Sequence, residues 1–303
     1  MGQSKQRTAN TGLAKVAVQC SADTFVVNQS LVLRINICGE KSPPSPSPKP
    51  LAVSIKRQPT IMTTTMKHIS LLRQTLLIIG LLISTLSYGH TSYPKKVKCP
   101  IDGKKFTIYV TGSYTTFNTL KDFQKQGAIG DLYESYVNSC PKCHYCGYQS
   151  DFDTTFSKTT KQEILKILEP FKSSKMTDVI ENEIAIKIHQ YFKRDNDDIA
   201  NLYLVASYFL KGDSLQIPKR KELQLNCATY LTKAIEAKEY DKAETYATIN
   251  YLIGELYRRI GEFETAIKYY DFAISDQNKK DWLLEVATKQ KELAIKKDDD
   301  NSI

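Results

Sequence analysis

Three cysteines at three-residue spacing, Cys140-Pro-Lys-Cys143-His-Tyr-Cys146, constrain this chain more than any other feature. Cys99-Pro-Ile-Asp102-Gly103 stands about forty residues earlier on a turn of similar composition. Cysteines so spaced on tight turns bring their sulfurs within reach of one ion, and a fourth on a like turn completes a tetrahedron. The flanking runs Val97-Lys98-Cys99 and Phe106 to Val110 read as strands around an Asp-Gly hairpin turn. Two strand pairs, each carrying a Cys-Pro turn, outline a zinc ribbon, and a head this small needs a metal or disulfide staple to stay folded.

Two ligand sets follow for a structural zinc. The preferred one is Cys99, Cys140, Cys143 and Cys146, because thiolates suit zinc best; the other exchanges one thiolate for the carboxylate of Asp102. His144 is expected to point away from the knuckle. Two disulfides among the same four cysteines stand as the rival, and a redox-active Cys140/Cys143 pair is a third possibility. The redox reading lacks the βαβ surroundings of a thioredoxin-type site and any helix start after Cys140 that would lower its pKa.

The compartment bears on that choice. Residues 66–89, MKHISLLRQTLLIIGLLISTLSYG, carry Lys67 and Arg73 ahead of an apolar run and end on small residues, as a cleaved signal peptide does. The run is short for a membrane span. Residues 1–65 contain SPPSPSPKP and little periodicity, and read as a wrongly assigned or disordered leader with Met66 the true start. Of the chain's net charge of +9, the leader supplies +6 and residues 66–89 supply +2, which leaves +1 for residues 90–303. A near-neutral product gives no electrostatic footing for nucleic acid. The expectation is an exported protein, periplasmic or secreted, with no nucleic-acid partner and no stable membrane insertion after signal cleavage.

From about residue 158 the apolar period becomes helical. Thr160-Lys161-Gln162-Glu163 reads as a capping box before Ile164, Leu165, Ile167 and Leu168. Further helices are expected through Ile180 to Tyr191, Leu202 to Leu210, Leu223 to Ile235, Ala243 to Ile260, Phe263 to Ile274 and Trp282 to Ile295. Ile253, Gly254, Tyr257, Gly261, Ala266, Tyr270 and Ala273 fall at the spacing of a tetratricopeptide unit. In a weaker upstream copy Cys227 takes a small-residue slot, where a thiol is buried and inert. The groove positions of the stronger unit are Tyr251, Glu255, Arg258 and Arg259, of which the arginines suit a carboxylate on a protein or peptide partner; an ordinary solvated helix end is the alternative.

The fold class expected is therefore α+β: a small zinc-ribbon-like β head over 90–157, then an all-α tetratricopeptide-like repeat tail over 158–303. Cys99-Pro-x-x-Gly-x-x-Phe106, the Cys140-Pro-x-Cys143 run with Cys146-Gly147-Tyr148, and the helices after them together resemble a bacterial domain-of-unknown-function family. The resemblance covers most of residues 95–295 and implies a metal-ribbon head on a helical-repeat tail. No Ser-His-Asp context, phosphate loop or paired-carboxylate motif stands above chance. The function expected is a non-enzymatic, exported protein-binding adaptor, with a thiol-disulfide redox protein or redox sensor as the alternative.

Overall fold

A computed structural model describes residues 90–127 and 130–302. The leader and the signal-like segment lie outside the described residues. Strands β1 (His90–Lys98) and β2 (Lys105–Tyr114) pair antiparallel around the Cys99–Lys104 turn, with Lys98 opposite Lys105 and Val97 opposite Phe106. Alternation decides which face is inward: Val97 and Ile108 are buried while Lys96, Lys98, Thr107 and Tyr109 face solvent. A second hairpin, β3 (Thr116–Thr119) with β4 (Lys125–Gly127), carries the Leu120–Gln124 loop at its tip. A short pair, β5 (Asn138–Ser139) and β6 (Cys146–Gly147), flanks the cysteine run.

Seven helices follow: α1 (Lys158–Leu168), α2 (Asp178–Tyr191), α3 (Asn196–Tyr208), α4 (Ile217–Glu236), α5 (Ala243–Ile260), α6 (Phe263–Ser275) and α7 (Asp281–Ile295). Each packs on the next in sequence. The capping box expected at Thr160 is displaced: Ser157 is the N-cap, its hydroxyl accepting from Thr160 N at 3.1 Å, so α1 starts earlier. Pro170 ends that helix in a single 3-10 turn. Between α5 and α6 the chain reverses at Gly261, whose φ of 94° only glycine adopts cheaply. A Cβ on Gly254 would stand 3.0 Å from the Tyr270 ring and 3.2 Å from the Ala266 carbonyl, which is why this helix pair packs so closely. No described helix is long and apolar enough to cross a membrane.

The expected division at 157/158 is not a break in the packing. One apolar core runs from Val97, Ile108, Cys140, Tyr145 and Phe152 into Ile164, Leu168, Ile184 and Leu202. The β1–β2 hairpin and the cysteine turns therefore sit on α1–α3, while the β3–β4 tip reaches the end of α3 and α5 through Tyr208 and Tyr251.

Candidate metal centre

The two Cys-Pro turns have the same backbone. Cys99 N donates to Lys104 O at 2.8 Å and Gly103 N donates to Cys99 O at 3.0 Å. Cys140 N donates to Tyr145 O at 2.8 Å and His144 N donates to Cys140 O at 3.0 Å. Gly103 (φ 74°) and His144 (φ 61°) share the left-handed corner that lets each turn close. Position by position, Cys99 matches Cys140, and Asp102 matches Cys143. Cys146 matches Lys105, the first residue of the returning strand.

That correspondence decides the ligand set. Cys99, Asp102, Cys140 and Cys143 gather with their ligand atoms all within 4.8 Å of one another. Cys99 Sγ lies 3.5 Å from Cys143 Sγ, and Cys140 Sγ lies 3.8 Å from both carboxylate oxygens of Asp102. Two thiolates bound about 2.3 Å from a tetrahedral ion stand about 3.8 Å apart, so the spacing fits one. The four-cysteine set is not the one assembled. Cys146, on β6, turns its thiol to the His144 carbonyl at 3.2 Å and is fully buried in the core. Its pKa is pushed well up by that burial. The His144 ring contacts the Phe171 carbonyl at 3.2 Å, away from the cluster.

Electrostatics favour a cation at the centre. The side-chain hydrogen bonds from Cys143 and Cys99, reinforced by backbone N–H groups of the knuckle, hold Cys140 far below an ordinary thiol. Its neighbours are raised in turn: Cys99 to about 11 and Cys143 further, each chiefly through its hydrogen bond to Cys140. One sulfur thus carries negative charge readily and faces a carboxylate of the same sign, with no cationic side chain in the group. A metal ligand must be deprotonated, and a bound cation removes the repulsion that otherwise opposes it. Lys104 N donates to Asp102 Oδ1 at 2.9 Å, which orients the carboxylate as an outer hydrogen bond to a ligand should. No disulfide forms among the described cysteines, and Cys227 lies buried among helices with its pKa raised by desolvation.

A carboxylate that sequence reading missed anchors this head to the helices. Asp151 accepts from Tyr148 N at 2.8 Å and from Arg194 at 2.9 Å, and its Oδ2 lies 3.4 Å from His189 Nε2. Gly147 makes room: a Cβ there would stand 2.7 Å from Asp151 Oδ2. Gly147→Ala is accordingly expected to push the carboxylate off its partners and lower stability by about 1–3 kcal/mol, read as a fall in the urea midpoint. Burial works against the Asp151 carboxylate, but the hydrogen bond and charge of His189, with Tyr148 N and Arg194, outweigh it and leave the pKa lowered. A carboxyl lowered on folding contributes stability above its unfolded value and loses it as pH falls through the folded one. Wild type is thus expected to lose stability below about pH 4 more steeply than Asp151→Asn. Parallel acid-denaturation curves for the two proteins would contradict this.

The residues expected to meet a partner are placed differently. Tyr251, Glu255, Arg258 and Arg259 are all 0% exposed. The chain's own segments cover them. Tyr251 donates to Lys121 O at 2.8 Å, Arg258 to Asp298 O at 2.8 Å and Asp300 O at 2.9 Å, and Arg259 to Asn301 O at 2.7 Å. The arginines do hold carboxylates, but internal ones: Glu255 on the same helix, and Asp122 from the β3–β4 loop, 3.3 Å from Arg259. Nothing in the local sequence marks Asp122, which lies in a polar hairpin tip.

A family model described as "Uncharacterized protein conserved in bacteria (DUF2225)" matches residues 92–294, about two thirds of the chain, and the chain belongs to that family. No curated protein and no solved structure matches it.

Proposed function

We propose that this member of the bacterial family is an exported, non-catalytic binding protein whose head is held by one structural zinc on Cys99, Asp102, Cys140 and Cys143. A single observation carries the reading: two knuckles of identical hydrogen bonding aim four side-chain ligand atoms at one point. Four protein ligands close a zinc shell and leave no position for substrate or activated water, which is the mark of a structural site. The metal would supply folding free energy to a head with little core of its own. The helices α3 to α7 read as tetratricopeptide-like pairs that recruit a protein partner, and residues 66–89 as the signal that exports it. The groove side chains of α5 are filled by the β3–β4 loop and by residues 298–301. A peptide reaching Arg258 and Arg259 must therefore displace the chain's own cover.

The test is metal content together with a thiol count on protein purified from an exporting host. One zinc per chain, with Cys99, Cys140 and Cys143 unreactive until a chelator is added, is the expected result. A metal-free protein with oxidised cysteines would replace this reading by disulfides and turn attention to Cys140 and Cys143 as a redox pair.

A further inference from the structure

Away from the cysteines, a cleft of about 770 Å³ opens between the start of α4, the β3–β4 hairpin and residues 299–302. Its volume is within the range of small-molecule sites. Arg220, on the first turn of α4, lines it. The side chain is 8% exposed and makes no hydrogen bond among the described residues, and its Nε is buried without a partner. One turn further on, the fully buried Gln224 gives an amide N–H to Asn301 Oδ1 at 3.0 Å and leaves its own carbonyl oxygen unpaired.

The surrounding charge sharpens the anomaly. Three buried cations, Arg220, Arg258 and Arg259, and the partly buried Lys211 gather around this end of the helices. Two fully buried carboxylates, Glu255 and Asp122, answer them, and both are committed elsewhere. Glu255 is bound by Arg258 and Arg259; Asp122 is bound by Lys211 at 2.6 Å and Arg259 at 3.3 Å. Three more carboxylates line the cleft: Asp299, half exposed at the rim, is taken by Lys221, Asp300 accepts from Ser302, and Asp131 accepts from Tyr133 N. Burial and the neighbouring Arg259 charge both lower the pKa of Arg220, so the fold holds a guanidinium where it is disfavoured. An unpaired buried donor is costly, more so when charged, and in a native protein it calls for an explanation, of which a bound ion is one.

We propose that this cleft binds a small organic anion through a carboxylate or phosphate group seated on Arg220, with Lys211 and Lys221 at its sides. The guanidinium fork matches either group in bidentate fashion. The side chains of Gln124 and Gln126, which also line the cleft, offer hydrogen bonds to the polar body of the same molecule. The site is independent of the metal centre and of the binding-protein reading.

The purified full chain is titrated with inorganic phosphate and, separately, with citrate, at ionic strength held constant with chloride, and the thermal midpoint is followed. At least one anion is expected to raise the midpoint saturably, with one site per chain by calorimetry; which of the two binds more tightly identifies the headgroup. Arg220→Gln is expected to weaken that anion about tenfold or more while melting in anion-free buffer at or above the wild-type temperature, because it removes an unpaired buried charge. Lys221→Gln, at the rim, is expected to weaken it only a few-fold. Neither anion raising the midpoint above the chloride control would overturn the proposal. So would an Arg220→Gln protein that binds like wild type, or one that is strongly destabilised without anion, since that shows the guanidinium satisfied within the fold.

Discussion

Glu255→Gln is expected to lower the free energy of unfolding by about 3–5 kcal/mol, a large part of the total for a domain of this size. The Glu255 carboxylate receives four hydrogen bonds: from Arg258 Nε at 3.0 Å and its terminal nitrogen at 2.7 Å, from Arg259 Nε at 2.7 Å, and from the Tyr270 hydroxyl at 2.6 Å. Its acceptor sites are filled, and both guanidinium groups are fully buried. Burial opposes the charge on Glu255, yet the Arg258 hydrogen bond and the two guanidinium charges leave its pKa below the usual carboxylate range. Burial also opposes the charge on Arg258, and Glu255 more than restores it. A glutamine keeps the shape and loses the charge, leaving two buried cations under-compensated. The readout is the urea midpoint by circular dichroism. If the charge is the cause, adding Arg258→Met to Glu255→Gln recovers part of the loss. A Glu255→Gln unfolding free energy within about 0.5 kcal/mol of wild type would contradict a structural role for this carboxylate charge.

The same cluster shows where sequence reading stops. The helices from Ala243 to Ile260 and from Phe263 to near Ser275 were legible because an apolar stripe at helical spacing, a glycine at the close approach and a glycine at the turn all agree. For Arg258 and Arg259 the local sequence supports a partner groove or a solvated helix end, both of them exposed, because charged residues in a last helical turn usually face solvent. What reverses this is non-local: Asp122 arrives from a hairpin tip more than a hundred residues earlier, and backbone carbonyls arrive from residues 298–301. Neither leaves a periodic trace. The cysteine turns divide the same way. Their existence and the hairpin around Asp102-Gly103 follow from local turn chemistry, and the α+β class follows from them and the helices. Which four side chains converge does not follow from counting thiols. It follows from matching the turns residue by residue, which puts Asp102 in the place of Cys143 and sends Cys146 into the strand.

That matching yields the second large effect. Cys143→Ser and Asp102→Asn are each expected to remove the bound metal or weaken it by tenfold or more, with Cys143→Ser the more severe because it removes a thiolate. Cys146→Ala is expected to keep one metal per chain, since its sulfur hydrogen-bonds the His144 carbonyl and lies outside the ligand group. Its cost is that of a small core cavity, about 1–2 kcal/mol, visible in the urea midpoint and not in metal stoichiometry. Asp102→Cys should tighten the site, because it turns the first knuckle into a copy of the second and adds a softer ligand. The four variants separate two effects that cysteine mutagenesis usually confounds. Loss of packing lowers stability with the metal retained; loss of a ligand lowers metal affinity first and stability as a consequence. Metal content measured by mass spectrometry, with chelator competition for affinity, distinguishes them directly. Metal lost from Cys146→Ala and retained in Asp102→Asn would mean that β6 swings its thiol inward to ligate, and that the knuckle correspondence does not govern the site.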